Sequence, residues 1–426
     1  MTDRTILDDC FLHDKDRLRH DEALAILKAA VAPVVGMERV ALDEASGRVL
    51  AELVTSPHAV PADNNSAVDG YAFAFGDYEA TGGFFPVVER IAAGHPAASP
   101  LPVGAAARIF TGAVMPGRAE TVAMQEDCER HDQDGEEFVV IPPGLKQGAN
   151  CRLAGEDLAA GDAVAVAGQR LRPQDIAAIA SIGRAEISVF KPIRVALFST
   201  GDEIVRPGAT LGDGQVYDSN HYLLRALLES VGAEISDLGI LSDDAQSVTD
   251  ALAGAASDHH AVLTTGGASR GEEDHLVTTL DALGKRHLWQ LAIKPGRPMT
   301  FGQIGKTIVL ALPGNPVAAF VCFLLYARPV FSVLSGAGWL EPPRFMIPAG
   351  FEIEKKKPDR REFLRGTLMR ENGRMEVQKF ARDGSGLITS LREADGLIEL
   401  EEATTEVRRG DPVAFIPFSA LGLTMS

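Results

Sequence analysis

Cysteine is scarce in this chain. Among its 426 residues there are four, at positions without C-x-x-C spacing: Cys10, Cys128, Cys151 and Cys322. Scattered cysteines of this kind argue against a structural zinc site and against a disulfide framework, and they fit a reducing compartment. We therefore expect a cytoplasmic protein.

Long hydrophobic runs are missing as well. The first residues carry no apolar stretch of the kind found in a signal peptide. No run reaches the roughly 18 apolar residues of a membrane-spanning helix. Residues 317–334 come nearest, but they include Arg328 and Pro329. The sequence therefore predicts no membrane contact.

Positive charge is also in short supply. The chain carries 41 Lys and Arg residues against 59 Asp and Glu residues, a net charge of −18. Such a surface argues against nucleic acid or an anionic membrane as partner, because both would be repelled. An anionic substrate would need local help from Lys, Arg, backbone N–H groups or a divalent cation.

The length and the changing periodicity of the chain predict several domains, since one core does not extend over 426 residues. Short alternating runs between 83 and 150 predict strands. After residue 191 apolar strands alternate with helical stripes, and beyond 336 short alternating runs return. We predict a multidomain α/β plus β protein with these parts: an N-terminal helical and linker domain (1–58 plus 155–190), an inserted β-rich domain (59–154), a central doubly wound α/β domain (191–337) and a C-terminal small β-barrel (338–426).

Local patterns predict the individual elements. Apolar stripes predict helices over 21–32 and 172–183, which we expect to pack together. Residues 38–55 suggest a helical or turn segment, and residues 60–73, rich in Pro, Asp and Asn, suggest a structured loop. In the α/β domain the predicted strands are 195–198, 233–238, 261–263, 289–293 and 308–312, and the predicted helices are 220–231, 245–256, 273–283 and 316–334.

A glycine-rich stretch follows one predicted strand. Residues 264–274 read Thr-Thr-Gly-Gly-Ala-Ser-Arg-Gly-Glu-Glu-Asp. Open α/β sheets bind ligands outside the carboxyl ends of their strands, and glycine lets the backbone approach a ligand and turn N–H groups toward an anion. Taken alone, an ordinary strand-to-helix turn explains this stretch equally well.

Other predicted strand ends share this polar character. They are Ser199-Thr-Gly-Asp-Glu203, Asp243-Asp244 and Pro313-Gly-Asn-Pro316, joined by Asp218-Ser-Asn220 and by the cations Lys294 and Arg297. Carboxylates that hold Mg²⁺ attract phosphate, and helix N-termini add donors. Each piece has a structural alternative: a helix cap for Asp243, plain turns for the Gly-containing motifs, a solvated charge for Lys294. Their conjunction at one sheet edge favours a ligand crevice.

Longer motifs resemble the molybdopterin molybdenumtransferase family, which includes the catalytic domain of gephyrin, over nearly the whole chain. They are Asn65-Ser-Ala-Val-Asp69-Gly-Tyr-Ala, Phe110-Thr111-Gly-Ala, Ala123-Met-Gln-Glu126, Gly155-Glu-Asp157, Ala196-Leu-Phe-Ser-Thr-Gly-Asp-Glu203, Asp218-Ser-Asn220, Thr265-Gly-Gly-Ala-Ser269, Ala292-Ile-Lys294-Pro-Gly and Pro313-Gly-Asn-Pro316. The central domain would then be of the molybdopterin-binding type.

The resemblance implies a reaction and an assembly. The reaction is the Mg²⁺-dependent insertion of molybdate into adenylylated molybdopterin, with release of AMP. The assembly is a homodimer in which the α/β domain of one subunit and the inserted β domain of the other share the active site, with transient contacts to other proteins of molybdenum cofactor biosynthesis.

Motif by motif, the resemblance also implies functional residues. The catalytic set would be Asp69, Thr111, Asp157, Glu203, Asp243, Asp274 and Lys294. Of these, Glu203, Asp243 and Asp274 would hold the metal. The substrate-binding set would be Ser199, Thr200, Gly201, Asp218, Asn220, Gly266, Gly267, Ser269, Arg270, Arg297, Pro313, Gly314 and Asn315.

Four positions depart from the family pattern. Gln290 stands where a Lys is common, Arg270 where a small or apolar residue is common, His275 where a Tyr is frequent, and Asn64 where an Asp is usual. Arg270 could replace the charge absent at Gln290. If it does not, weaker anion binding would mark a paralogue with shifted substrate or lower activity.

Two other functions stay open at this point. One is the preceding enzymatic step, adenylylation of molybdopterin, which single α/β domains of similar pattern carry out. The other is a divergent cofactor-binding or scaffold paralogue. The β-rich domains on both sides of the α/β domain favour metal insertion, and the sequence does not distinguish molybdate from tungstate.

Overall fold

The computed structural model describes residues 17–266, 275–288, 290–371 and 373–423. Residues 17–190 contain a six-stranded mixed sheet in the order β7-β4-β6-β5-β9-β8 and three short antiparallel pairs, β1 with β12, β2 with β11 and β3 with β10. The elements are α1 (His20–Ala30), β1 (Met37–Ala41), β2 (Val54–Thr55), β3 (Asn65–Ser66), β4 (Gly70–Phe73), α2 (Phe75–Thr81), β5 (Phe84–Ile91), β6 (Ala106–Ile109), β7 (Thr121–Met124), β8 (Glu129–Gln133), β9 (Glu136–Val140), β10 (Cys151–Arg152), β11 (Ala163–Ala165), α3 (Pro173–Ser181) and β12 (Glu186–Phe190).

Two predictions for this part missed strands. The predicted helical or turn segment over 38–55 has one short 3-10 helix, Leu42–Glu44, but it also includes most of β1 and all of β2, whose partner strands lie more than a hundred positions away in the chain. The loop predicted over 60–73 contains β4, which lies inside the sheet between β6 and β7. Gly70 is required there, because a Cβ atom would lie 1.9 Å from the carbonyl oxygen of Ala123.

We expected helices α1 and α3 to pack together, but they lie in different cores. Helix α3 packs with β1, β2 and β12 through Ile179. Helix α1 instead places Ala23 and Leu27 in the core of the α/β domain. Its first residue, His20, is buried and lies 2.7 Å from the hydroxyl of Tyr326. In the chain, the strands of the six-stranded sheet lie between the two members of each short antiparallel pair. The predicted domain limits remain a prediction.

The α/β domain is built on a second six-stranded sheet, in the order β16-β13-β17-β21-β20-β18. Its elements are β13 (Arg194–Thr200), β14 (Ile204–Val205), β15 (Val216–Tyr217), α4 (Ser219–Ser230), β16 (Glu234–Leu241), α5 (Ala245–Asp258), β17 (Ala261–Thr265), α6 (His275–Leu283), β18 (Lys285–Leu288), β19 (Ile293–Lys294), β20 (Thr300–Ile304), β21 (Thr307–Leu312), α7 (Pro316–Cys322) and α8 (Arg328–Leu334). The short strands β14 and β15 pair separately, and β19 belongs to the C-terminal sheet.

Helices cover both faces of this sheet. Strands β13, β16, β17 and β21 are parallel. Their alternate side chains divide between a core shared with α4, α7 and α8 and a core shared with α5 and α6. The sheet is mixed, because β20 runs antiparallel to β21. The sequence patterns did not predict β20. The strand predicted over 289–293 was misplaced: β18 ends at Leu288, and Ile293–Lys294 pairs with the C-terminal domain.

The predicted last helix is continuous but irregular. A π-helical turn, Phe323–Ala327, joins α7 to α8 just before Pro329, whose nitrogen has no hydrogen to donate. The whole helix, Pro316–Leu334, is long and apolar enough to cross a membrane, but 89% of its most apolar 18-residue stretch is buried inside the protein. The core of a folded domain therefore accounts for its hydrophobicity.

The C-terminal domain is a curled sheet in the order β19-β23-β25-β26-β22, with β24 paired to β23. A bridge between Ala349 and Val377 brings the end of β22 to β24, so that the sheet nearly closes on itself around its own apolar core. The elements are β22 (Phe345–Pro348), β23 (Arg361–Glu371), β24 (Arg374–Lys379), α9 (Thr389–Arg392), β25 (Gly396–Leu400) and β26 (Pro412–Pro417).

Candidate active site

The carboxyl ends of three parallel strands meet at one edge of the α/β sheet. Strand β17 lies between β13 and β21, so Thr200, Gly266 and Pro313 come together although they are far apart in sequence. They border a cavity of about 900 Å³. Substrate cavities of roughly 300–1,000 Å³ are usual for small ligands.

The cavity has walls from two domains. The α/β domain and β19 contribute Thr200, Glu203, Ile204, Val216, Tyr217, Asp218, Ser219, Asn220, Thr265, Gly266, Ile293, Lys294, Pro295, Gly296, Arg297, Pro298, Pro313, Gly314, Asn315, Pro316 and Ala318. The C-terminal sheet contributes Arg360, Phe363, Leu364, Arg365, Asp383, Ser385 and Gly386. Strand β19 joins the two domains by pairing with β23.

The charge of this lining differs in sign from that of the chain. Four cations, Lys294, Arg297, Arg360 and Arg365, face three acids, Glu203, Asp218 and Asp383, a formal sum of 4 − 3 = +1. The chain as a whole carries −18. The N-terminus of helix α7 also borders the cavity, and its dipole favours anions.

Two glycines lie at the strand ends beside the cavity, and of these Gly266 lines it and Gly201 does not. Gly266 has a φ of +82°, and a Cβ atom there would lie 2.6 Å from the carbonyl oxygen of Thr200. Gly201 has a φ of +138°, and its Cβ would lie 2.5 Å from a carboxylate oxygen of Glu203. At Gly266 a side chain would displace the neighbouring strand end, whereas at Gly201 the positive φ is the main reason for glycine, since the Glu203 side chain can move.

Lys294 stands between carboxylates of the C-terminal domain. Its Nζ lies 3.9 Å from Oε2 of Glu362 and 3.8 Å from Oδ2 of Asp383. Arg365 is buried and holds the neighbouring loop, donating from Nη2 to the carbonyl of Arg382 at 2.9 Å. These contacts attach the loop that carries Asp383 to the cation that lines the cavity.

Asp243 does not line the cavity but lies in a group of like charges with Asp202 and with Glu203, which does. Its backbone N–H and that of Asp202 each donate to the other's carboxylate, at 3.3 and 3.4 Å. Burial and then the negative charges of Asp202 and Glu203 raise the pKa of the Asp243 carboxyl. A nearby cation would relieve this repulsion. Within the described ranges no group of three or more potential ligands is close enough to hold a metal ion.

Asp69 and Thr111 form a pair outside this cavity. Both the backbone N–H and the hydroxyl of Thr111 donate to Oδ1 of Asp69, each at 2.8 Å. These bonds, the backbone one first, lower the pKa of the Asp69 carboxyl. The positive charge of Arg108, which donates to the carbonyl of the adjacent Gly70 at 3.1 Å, adds a smaller lowering of the same pKa. Neither Asp69, Thr111 nor Asp157 lines the cavity of the same chain.

Other predicted site residues have different surroundings. Ser199 is buried and does not line the cavity. Gln290 has a φ of +60° and accepts a hydrogen bond from Nε of Arg17 at 3.1 Å. Asn64 accepts one from the backbone of Ala154 at 2.8 Å. His275 begins helix α6, and its charge would lower the pKa of Asp243. The predictions for Gly267, Ser269, Arg270 and Asp274 lie outside the described residues.

The sequence did not reveal the contribution of the C-terminal domain. Arg360 and Arg365 lie on or beside β23, and Asp383, Ser385 and Gly386 follow β24. In the sequence, Asp383-Gly has only the pattern of a turn. Their role depends on the pairing of β19 with β23, which no local pattern predicts.

A cavity of this size, at strand carboxyl ends and with a formal charge of +1 in its lining, suits a ligand with anionic groups. The fold and site therefore define a multidomain α/β protein with a cavity of small-molecule size between its central and C-terminal domains.

Comparison with known proteins makes this class specific. Residues 18–183 match the MoeA N-terminal region (domain I and II), residues 196–332 a probable molybdopterin binding domain, and residues 352–418 the MoeA C-terminal region (domain IV). The molybdopterin molybdenumtransferase of Haemophilus influenzae is 36% identical over 382 residues, 89% of this chain and 93% of its own length. That of Nostoc sp. is 34% identical over 387 residues, 88% of this chain and 87% of its own.

A solved structure agrees. The molybdopterin biosynthesis moeA protein of Pyrococcus horikoshii OT3 superimposes with a TM-score of 0.80 at 28% identity, covering 94% of this chain and 100% of its own. The chain belongs to the molybdopterin molybdenumtransferase family, which confirms the resemblance found in its motifs.

Proposed function

We propose that this protein inserts molybdate into adenylylated molybdopterin, with Mg²⁺ and with release of AMP. The observation that carries the proposal is the cavity between the α/β and C-terminal domains, whose lining has four cations and a formal charge of +1 in a chain of charge −18. The names of the relatives point to the same reaction. Both substrates are anions, so the cavity suits them where the remaining surface does not.

The chemistry asks the protein mainly for positioning. One molybdate and two thiols form two Mo–S bonds, and one oxo group leaves as water with the two thiol protons. Hydrolysis of the phosphoanhydride consumes one water and yields AMP. Fixed charges and dipoles lower such barriers by holding the reactants and neutralising charge. Lys294 and Arg365 would attract the anions, and the α7 N-terminus would face a phosphate or the molybdate.

A metal-binding role for Asp243 and Glu203 belongs to this proposal. A bound Mg²⁺ would neutralise phosphate charge in the reacting complex. Burial, and then the negative charges of Asp202 and Glu203, raise the pKa of the Asp243 carboxyl, and a divalent cation would favour its charged form. The described candidates are Glu203 and Asp243, with Asp274 as a further one from sequence, since the described residues alone do not form a group of three ligands.

The decisive experiment supplies adenylylated molybdopterin, Mg²⁺ and molybdate to the purified protein. Molybdate-dependent AMP release supports the proposal. Pyrophosphate release from ATP with molybdopterin would instead indicate the adenylylating step, and binding without turnover would indicate a scaffold. Glu203→Gln should abolish AMP release, whereas the exposed Glu229→Gln on helix α4 should not.

We also propose that the active unit is a cytoplasmic homodimer with a shared site and with transient contacts to other cofactor-biosynthesis proteins. The support is that Asp69 and Thr111 form a paired, ionised group away from the cavity that holds Glu203. Mixing inactive Asp69→Asn with inactive Glu203→Gln and allowing subunits to exchange should restore about a quarter of wild-type activity, because half of the dimers then have one intact site of two. No recovery in verified mixed dimers would refute sharing.

A further inference from the structure

Two acceptor atoms at the start of helix α4 lack a partner in the described protein. They are Oδ2 of Asp218 and Oδ1 of Asn220. Both residues line the cavity, and only 3% of Asp218 and 8% of Asn220 is exposed to solvent. A buried acceptor without a hydrogen bond is costly and is rare in folded proteins. A ligand that donates hydrogen bonds would remove this cost.

The other polar atom of each side chain is already engaged. Oδ1 of Asp218 accepts from the backbone N–H of His221 at 3.0 Å and so caps helix α4. Nδ2 of Asn220 donates to the carbonyl of Gly314 at 2.6 Å. The Gly314 carbonyl can only accept, so it determines which end of the Asn220 amide is left as an acceptor. Both acceptors are therefore held in place before any ligand arrives.

The cation nearest to Asp218 does not satisfy it. Nη1 of Arg206 lies 3.8 Å from Oδ2 of Asp218, too far for a hydrogen bond. Nη2 of Arg206 pairs more closely with Asp237, at 2.8 Å. Arg206 thus supplies charge compensation, while the lone pairs of Asp218 Oδ2 stay available to a donor.

We propose that Asp218 and Asn220 recognise the pterin ring of the substrate by accepting hydrogen bonds from its 2-amino group and its N3–H. This inference rests on the proposed function and assigns one part of the substrate to one part of the cavity. A carboxylate and an amide oxygen repel phosphate, so this corner suits the neutral ring, whereas Lys294 and Arg365 suit the anionic end. Adenine also offers an amino group, but acceptor nitrogens flank it where the pterin has a second donor.

The test compares two fluorescent bicyclic probes on the full-length protein. Pterin carries the 2-amino group, and lumazine carries a carbonyl oxygen in its place. A site built to accept from an amino group rejects the analogue that lacks it, because its buried acceptor then stays unpaired. We expect wild-type protein to bind pterin at least about tenfold more tightly than lumazine. Equal affinities, or no pterin binding at millimolar concentration, would overturn the proposal.

Variants locate the preference and separate it from nucleotide binding. Asp218→Asn keeps an acceptor for the helix cap and replaces the other oxygen with an NH₂ group, so it should lose most of the preference for pterin while its affinity for AMP is unchanged. Asp244→Asn, which alters the corresponding cap of helix α5, should leave both unchanged. A variant that loses AMP affinity and keeps the pterin preference would assign the corner to adenine and refute the proposal. Failure of molybdate-dependent AMP release would overturn the proposed reaction but not a measured pterin preference.

Discussion

Replacing Gly266 with alanine should destabilise the α/β domain through two separable effects. The residue has a φ of +82°, and its Cβ would lie 2.6 Å from the carbonyl oxygen and 2.7 Å from Oγ1 of Thr200. The left-handed conformation costs an L-residue roughly 1–2 kcal/mol. Forcing apart a packed contact adds roughly 1–3 kcal/mol. We therefore expect a loss of about 2–5 kcal/mol in the free energy of unfolding.

Gly239 provides the matched control. It has a φ of +85° and lies in the same sheet, but no atom lies within 4 Å of a Cβ built there. Gly239→Ala should therefore show the conformational cost alone, about 1–2 kcal/mol. Both variants change the unfolded chain equally, so the difference between them reports the clash with Thr200.

Denaturant and thermal unfolding, followed by circular dichroism and by calorimetry, measure this difference. For a domain of this size, each kcal/mol shifts the melting temperature by roughly 2–4 °C, so Gly266→Ala should melt several degrees below Gly239→Ala. Equal melting temperatures would show that Thr200, at the end of β13, moves aside without a loss of stability, and the inference of a rigid cavity floor would fail. AMP affinity should fall in Gly266→Ala only, because Gly266 lines the cavity.

Three further predictions concern charge. The pKa of the Asp243 carboxyl is raised, so its contribution to the free energy of unfolding is present below its ordinary pKa of 3.8 and is lost as pH rises through the raised value. Asp243→Asn should therefore melt at a higher temperature than wild type at pH 7 but not at pH 3, and it should lose Mg²⁺-dependent activity. Burial holds the pKa of His20 at about 3, below its usual 6.5, so the free energy of unfolding should fall by on the order of 5 kcal/mol as pH drops from 6.5 to 3. His20→Phe should flatten that part of the profile of stability against pH, and it should lower stability at pH 7 because Tyr326 loses its hydrogen-bond partner. An unchanged profile would contradict this. Lys294→Met should weaken molybdate binding about 10-fold or more in calorimetry and reduce its salt dependence, and an affinity equal to wild type would exclude Lys294 from anion binding.

The nature of the central domain could be predicted from sequence because its signals are local. A buried parallel strand is a short apolar run, and its carboxyl end is marked by Thr-Gly or Pro-Gly a few residues later. Thr200, Gly266, Pro313 and Asn315 could therefore be assigned to one crevice, and the structure brings them to one cavity. The capping role of Asp218 is also local, because its carboxylate accepts from the backbone N–H of His221, three residues later.

Features that depend on distant pairing could not be predicted in this way. Strand β1 lacks a distinct local pattern and forms because β12 pairs with it. Strand β4 is obscured by neighbouring turn residues, and only the approach of Ala123 shows why Gly70 is needed. The second wall of the cavity exists because Ile293–Lys294 leaves the α/β sheet to pair with β23.

The sequence by itself determined the family, the α/β centre and the residue types that meet an anionic substrate, because motifs and periodicities are properties of short segments. Only the tertiary structure decided which charges share one space. It placed Lys294 with Asp383 and Arg365, left Asp69 and Thr111 outside that cavity, and gave Asp218 and Asn220 each one engaged and one available polar atom. Distances between segments far apart in the chain depend on packing and strand pairing, and these have no local signature in the sequence.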